Sequence, residues 1–174
     1  QKICSRARWV DLVVLRLVYP PSPQPIARLS SGLRAIIRRC RSPLLIVPRS
    51  FVYPLDRALL AYDGSPKAQE ALYLATYLAS RWQIPLAVLA VLDGPVTEKT
   101  LSQAQTYLQQ YGVTATFITR PGPVAEAIMT TAEDQNSNLI IMGGYGYNLV
   151  LELMLGSAID EVLRASRRPV LICG

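Results

Sequence analysis

The chain has 174 residues, 51% of them hydrophobic, with 18 Lys and Arg against 12 Asp and Glu for a net charge of +6, and no histidine. That length suits one domain, or one domain with an appendage, large enough to bury a core. The lack of histidine excludes Ser-His and Cys-His nucleophile pairs and the commonest zinc ligand; Cys4, Cys40 and Cys173, far apart and without C-x-x-C spacing, argue against a disulfide framework and read as free core thiols.

The charge is unevenly placed. Residues 1–50 hold ten Lys and Arg against the single acid Asp11, while the remainder hold eight against eleven, so +9 and −3 sum to +6. Aromatic residues do not interleave with the basic ones as a single-strand nucleic-acid binder requires. The leader therefore reads as a solvated basic face, or as a surface whose acidic partner lies elsewhere, and no nucleic-acid partner is expected. The longest oily run, Leu12–Val18, is broken by Arg16, so no membrane span is expected and the chain reads as cytoplasmic.

The first 50 residues make sense only beside the C-terminus. Ala27–Pro48 aligns with the segment ending at Gly174 at a constant offset of 126: Ser31 on Ser157, Ile36 on Val162, Arg38 on Arg164, Pro43 on Pro169. The stretch from Asp11 aligns with that from Asn138 at an offset of 127, a one-residue slip taken up in the loop between. This is the signature of an internal repeat. Residues 1–47 are accordingly expected to be the strand-helix-strand remnant of a first unit, 48–55 a linker with Pro48 and Pro54, and 56–174 a complete second unit, the whole being the C-terminal part of a tandem protein.

In the second unit Ala58–Tyr62 is a short buried strand, and Asp63-Gly64-Ser65-Pro66 supplies a turn, an N-cap and a first-turn proline. A helix to about Trp82 follows, with Ala68, Leu72, Ala75 and Ala79 as its core stripe. Leu86–Leu92 is the second strand. A polar helix runs from Thr97 to about Tyr111, Val113–Thr119 alternates like a strand near a sheet edge, and Pro123 starts a third helix with Val124, Ala127, Ile128 and Ala132 inward. Leu139–Met142 is a strand with two oily faces, a fourth helix begins at Ser157, and Pro169–Cys173 is the last strand. Strands alternating with helices predict an α/β fold: an open, five-stranded parallel sheet with helices on both faces.

The distinctive stretch joins the fourth strand to the fourth helix. Gly143, Gly146 and Gly156, followed by Ser157, give G-x2-G-x9-G-S. Glycines let backbone amides approach a ligand, and a helix start offers unpaired N–H groups and the positive end of a dipole, so a phosphate is the natural guest. The spacing is neither the dinucleotide G-x-G-x-x-G nor a P-loop, since no lysine follows the last glycine. The pattern resembles the nucleotide motif of the universal stress protein family, in its ATP-binding branch, over roughly Pro48–Gly174.

The resemblance implies a Rossmann-like, adenine nucleotide alpha hydrolase-like sheet with strand order 3-2-1-4-5. It implies a site for ATP, or AMP or ADP, with Mg²⁺ or Mn²⁺ as the cation that would accompany the nucleotide. Carried over by motif position, Asp63 would contact the adenosine moiety, Leu92 would wall the adenine, Met142, Gly143, Tyr145 and Gly146 would line the base and phosphate side, and Gly156, Ser157, Ala158 and Ile159 would present amides at the helix start. Asp63 also has a purely local reading, as an Asx turn closing the Asp63-Gly64-Ser65 bend. The sequence departs from the family pattern at Ile159, where a hydroxyl residue is common, and at Tyr145, where histidine or arginine is. In the first unit Arg16, Tyr19 and Ser30 stand where the glycines should be, so that half should bind no nucleotide.

The family's last strand is its dimer seam, which implies a homodimer or an intramolecular pseudo-dimer through Ser42–Val47 and Arg168–Ile172. No residue set for fast phosphoryl transfer is visible, so at most weak ATPase activity is expected. The rival expectation is a scaffold or regulatory domain that binds no nucleotide.

Overall fold

The structure, a computed structural model, describes residues 2–22, 24, 32–49, 54–92, 96, 98–145 and 157–174. In chain order the elements are α1 (Lys2–Ala7), β1 (Val13–Leu17), α2 (Gly32–Arg39), β2 (Leu44–Pro48), β3 (Ala58–Ala61), α3 (Pro66–Trp82), β4 (Leu86–Leu92), α4 (Glu98–Gln110), β5 (Ala115–Pro121), α5 (Val124–Asp134), β6 (Leu139–Gly143), α6 (Ala158–Ala165) and β7 (Val170–Cys173). The fold is α/β with a predominantly parallel sheet.

The expected five-stranded sheet is corrected to seven strands, in the order β1-β2-β7-β6-β3-β4-β5. The order 3-2-1-4-5 is therefore not that of the whole sheet. The five strands of residues 56–174 form one flank, and β1 and β2 extend it past β7. Every neighbouring pair is parallel except β2 and β7, which are antiparallel with Leu44 opposite Ile172, Leu45 opposite Leu171 and Ile46 opposite Val170. The physical reason is edge protection: β7 is buried along its whole length, and an apolar edge left open there would be a template for further pairing.

The parallel strands carry apolar residues at successive positions, and each successive side chain goes to the opposite face. Leu59, Leu89, Ile140, Val170 and Ile172 join a core with α2, α5 and α6. Leu60, Val88, Ile141 and Leu171 join a second core with α3 and α4. This is why the strands read as continuous oily runs rather than alternating ones.

Helix α3 shows how local sequence and packing agree. Ser65 sits in extended backbone at the N-cap, and its hydroxyl accepts from the Ala68 amide at 3.2 Å; Pro66 follows where no donor is needed. The buried face is Ala68, Ala71, Leu72, Ala75, Thr76, Leu78 and Ala79, and its four alanines let the helix lie close to the sheet. Ser65→Ala should destabilise the protein by about 1 kcal/mol in urea unfolding. A change below a few tenths would show that α3 is held by its packing alone.

Two helix ends explain where strands begin. Gly112, at φ 66°, closes α4 with its amide on the Gln109 carbonyl and the Val113 amide on that of Leu108. This reciprocal helix end uses Val113 as its apolar plug, so β5 starts at Ala115, two residues later than the alternation suggested. Asn136, at φ 50°, ends α5 in the same way. The Asn138 side chain then accepts from the Asp56 and Arg57 amides, both at 3.1 Å, tying the start of β6 to the start of β3.

The N-terminal helix α1 had no counterpart in the sequence reading. It is fastened to the basic segment by Ala7, which is buried, and by Ser42, whose hydroxyl donates to the Ala7 carbonyl. The Cys40 thiol lies 2.8 Å from the Cys4 sulfur as its donor, and burial, with the neighbouring Cys4, pushes the Cys40 thiol up to about 12.

Candidate functional site

Strands β3 and β6 are parallel neighbours, with Ala61 opposite Met142, and their C-terminal ends lie side by side. The chain leaves β3 for α3 on one face of the sheet and reaches α6, on the other face, after β6. Adjacent strands whose following helices diverge leave a crevice at their carboxyl ends, where open α/β sheets bind ligands. A cavity of about 400 Å³ opens there.

Of the residues singled out in the sequence, Asp63, Met142, Gly143, Tyr145, Ser157, Ala158 and Ile159 all line this cavity. Gly146 and Gly156 lie outside the described residues. Leu92 does not line the cavity. It is 39% exposed at the end of β4, and Val91 takes the place on the wall. The reason is the period of two along a strand: Val91 shares the face of Leu89, toward the cavity, whereas Leu92 points the other way. Val96, Val124 and Ile128 complete that wall. Ile128, at 0% exposed, was legible only as core of α5, and nothing in its spacing distinguished core from cavity wall.

Each polar group at the rim has a defined job. The Asp63 carboxylate accepts from the Ser65 amide at 2.9 Å, so the local Asx turn is present; its side chain is exposed and stands at the cavity lip. The Ser157 hydroxyl accepts from the Asp160 amide at 3.2 Å as the N-cap of α6. Ile159 is 4% exposed, part of the core and of the cavity lining at once. Tyr62 is buried under the lip and accepts a hydrogen bond from the Gln69 side chain; burial, helped by the Asp63 charge, raises its phenol above the usual range and keeps it neutral. Cys173, buried beside the turn, has its thiol pushed up to about 12 by burial and by Glu70, which makes it unreactive.

Gly143 is required for a steric reason. A Cβ there would stand 2.7 Å from the Lys67 carbonyl carbon and 2.8 Å from the Ala68 amide nitrogen. The end of β6 and the first turn of α3 thus touch backbone to backbone. Gly144 donates its amide to the Cys173 carbonyl at 2.5 Å, fixing the turn to the end of β7.

The residue that sequence reasoning missed is Asp160. Its carboxylate is 3% exposed and accepts from Arg34 of α2 at 3.1 Å on one oxygen and from the Tyr145 hydroxyl at 2.5 Å on the other. The Arg34 guanidinium also lies 4.4 Å above the Tyr145 ring, with that of Arg38 at 5.4 Å. The available signal was the repeat offset itself, since Arg34 and Asp160 are 126 residues apart.

Chemically, the cavity offers apolar walls for a flat ring, a carboxylate at one lip to accept hydroxyl protons, and the amide end of α6 at the other. No Lys or Arg is among the described residues that line it, and no described group of three His, Cys, Asp or Glu is placed to hold a metal. Among the described residues no helix is long and apolar enough to cross a membrane.

The comparisons with known proteins agree with this architecture. The Universal stress protein family pattern matches residues 95–174. Universal stress protein Slr1230 of Synechocystis is 30% identical over 146 residues, 82% of this chain and 50% of that protein, so the chain spans about half the length of this relative. Universal stress protein YxiE of Bacillus subtilis is 30% identical over 144 residues, 67% of this chain and 97% of that protein. Among solved structures, a universal stress protein from Archaeoglobus fulgidus superposes with a TM-score of 0.81 at 22% identity, over 99% of this chain and 63% of that one. A universal stress protein solved in complex with cAMP superposes with a TM-score of 0.59 at 21% identity, over 68% of this chain and 96% of that one. With YxiE matched at 30% identity over 97% of its length, the chain belongs to the universal stress protein family.

Proposed function

We propose that residues 56–174 form a nucleotide-binding unit that holds ATP, or another adenine nucleotide, as a sensor or switch in the cytoplasm. The observation that carries the reading is the cavity between the ends of β3 and β6, with Asp63 on one lip and the start of α6 on the other. The adenine ring would lie against Val91 and Met142, Asp63 would accept from ribose hydroxyls, and the amides at Ser157–Ile159 would face the phosphates. Mg²⁺ or Mn²⁺, if it comes, would come with the phosphates. A family member of this fold in complex with cAMP supports the ligand class.

The same proposal makes residues 1–47 the counterpart of the end of such a unit. Two measurements of register support it. Leu44 of β2 and Val170 of β7 are 126 apart, and the residues beside them on β1 and β6, Val13 and Ile140, are 127 apart, matching the two sequence offsets. The antiparallel β2–β7 seam is likewise symmetric about Leu45 and Leu171.

A second reading, a scaffold without nucleotide, is favoured by the absence of a basic residue among the described lining residues and by Ile159. The two separate in a calorimetric titration with ATP and Mg²⁺, preceded by chromatography of nucleotide released from the purified protein. Ala158→Glu places a carboxylate in the phosphate region while suiting the first turn of α6. Wild type should bind saturably with little turnover, and the variant at least tenfold more weakly. Absence of nucleotide and of binding in folded wild-type protein would sink the switch and leave the scaffold.

A further inference from the structure

The basic segment touches a side chain that lines the cavity, Tyr145, and that contact implies control. Tyr145 borders the cavity between β3 and β6 on one side and a second cavity of about 370 Å³, lined also by Arg34 and Asp160, on the other. It thus stands between the crevice and a cavity whose lining includes Tyr19, Gly32, Leu33 and Arg34 of the N-terminal segment. The contacts of Tyr145 among the described residues include its hydroxyl on Asp160, the Arg34 guanidinium over its ring, and the Arg38 guanidinium beside that. Arg34 and Asp160 are both buried, at 5% and 3% side-chain exposure. Buried ion pairs of this kind contribute geometry and specificity more than net stability, because desolvation cancels much of their attraction.

We propose that Arg34 is a positioning residue for the crevice, so that docking of the basic N-terminal segment sets the affinity of a nucleotide site it does not itself line. This rests on the nucleotide reading given above. A planar guanidinium can stack on the ring and donate to a carboxylate at once, which an ammonium cannot, so the choice of arginine is part of the argument. The two charges also select the partner. Arg34 and Asp160 occupy equivalent positions at the repeat offset of 126, on either side of the seam centred on Leu45 and Leu171. A second copy of the chain docked through β7 in the same way would set Asp160 against Asp160, two buried carboxylates. The N-terminal segment supplies the complementary charge.

The test compares wild type, Arg34→Lys and Tyr145→Phe in two measurements. The first is the NMR signal of ring-labelled tyrosine, with Tyr145 assigned by its absence in Tyr145→Phe. The second is ATP binding with Mg²⁺ by calorimetry. Arg34→Lys keeps a positive charge beside Asp160 and should stay folded, yet shift the Tyr145 resonance and weaken ATP binding about tenfold. An unchanged Tyr145 resonance, or a shifted resonance with unchanged ATP affinity, would overturn the positioning role. If wild type binds no ATP, the nucleotide reading fails, and the claim that the N-terminal segment controls its affinity falls with it. The resonance would still report separately whether Arg34 holds Tyr145.

Discussion

Replacing Arg34 with alanine is expected to lower the unfolding free energy by about 3–5 kcal/mol, measured in urea, because the Asp160 carboxylate would stay in the interior without its guanidinium. The Tyr145 hydroxyl would remain its donor, and one neutral donor does not replace a charge. Removing the whole network should be far milder. A triple variant, Arg34→Met, Asp160→Leu and Tyr145→Phe, removes all three polar groups of this described network together and should recover most of the loss. A single-variant loss below about 1 kcal/mol would mean that the pair is wetter than its exposure suggests. The effect matters for function because α2 and α6 meet through this pair, so weakening it loosens the N-terminal segment beside the crevice.

Gly143→Ala is the second large expectation. Its Cβ would overlap the backbone of Lys67 and Ala68, and backbone at a helix start cannot step aside as a flexible side chain can. Pushing α3 away from β6 should cost about 3 kcal/mol. For a chain of this size that lowers the thermal midpoint by about 6–12 °C. Gly144→Ala should be gentler, since its nearest neighbour would be the Cys173 carbonyl oxygen at 3.1 Å. Equal midpoints for Gly143→Ala and wild type would show that the two elements are not in the backbone contact described. The glycine that the sequence presents as a place for a ligand to approach is also a place where the protein approaches itself.

Much of the fold was legible because its causes are local. The N-cap at Ser65, the alanine stripe of α3, the oily runs of β3, β4 and β6, and the cap at Ser157 each follow from residues within one turn or strand of one another. The place of the crevice came instead from the strand order that the family resemblance implied, since local periodicity does not say that β3 and β6 are neighbours. Leu92 shows the limit of that reasoning. The bounds of β4 were legible as Leu86–Leu92, but neighbouring positions on a strand face opposite ways, and Val91 is the one that meets the cavity.

The order of elements from β3 onward was therefore legible in the sequence through periodicity and caps, while the glycine spacing carried the family resemblance, which implied where the crevice lies. Only the tertiary structure decided that β1 and β2 continue the sheet across an antiparallel seam, that Asp160 receives the charge of Arg34, and that Gly143 must lack a side chain because α3 lies against it. Each of these depends on groups brought together from distant parts of the chain. Periodicity records which face of an element is oily, but not which distant element covers it.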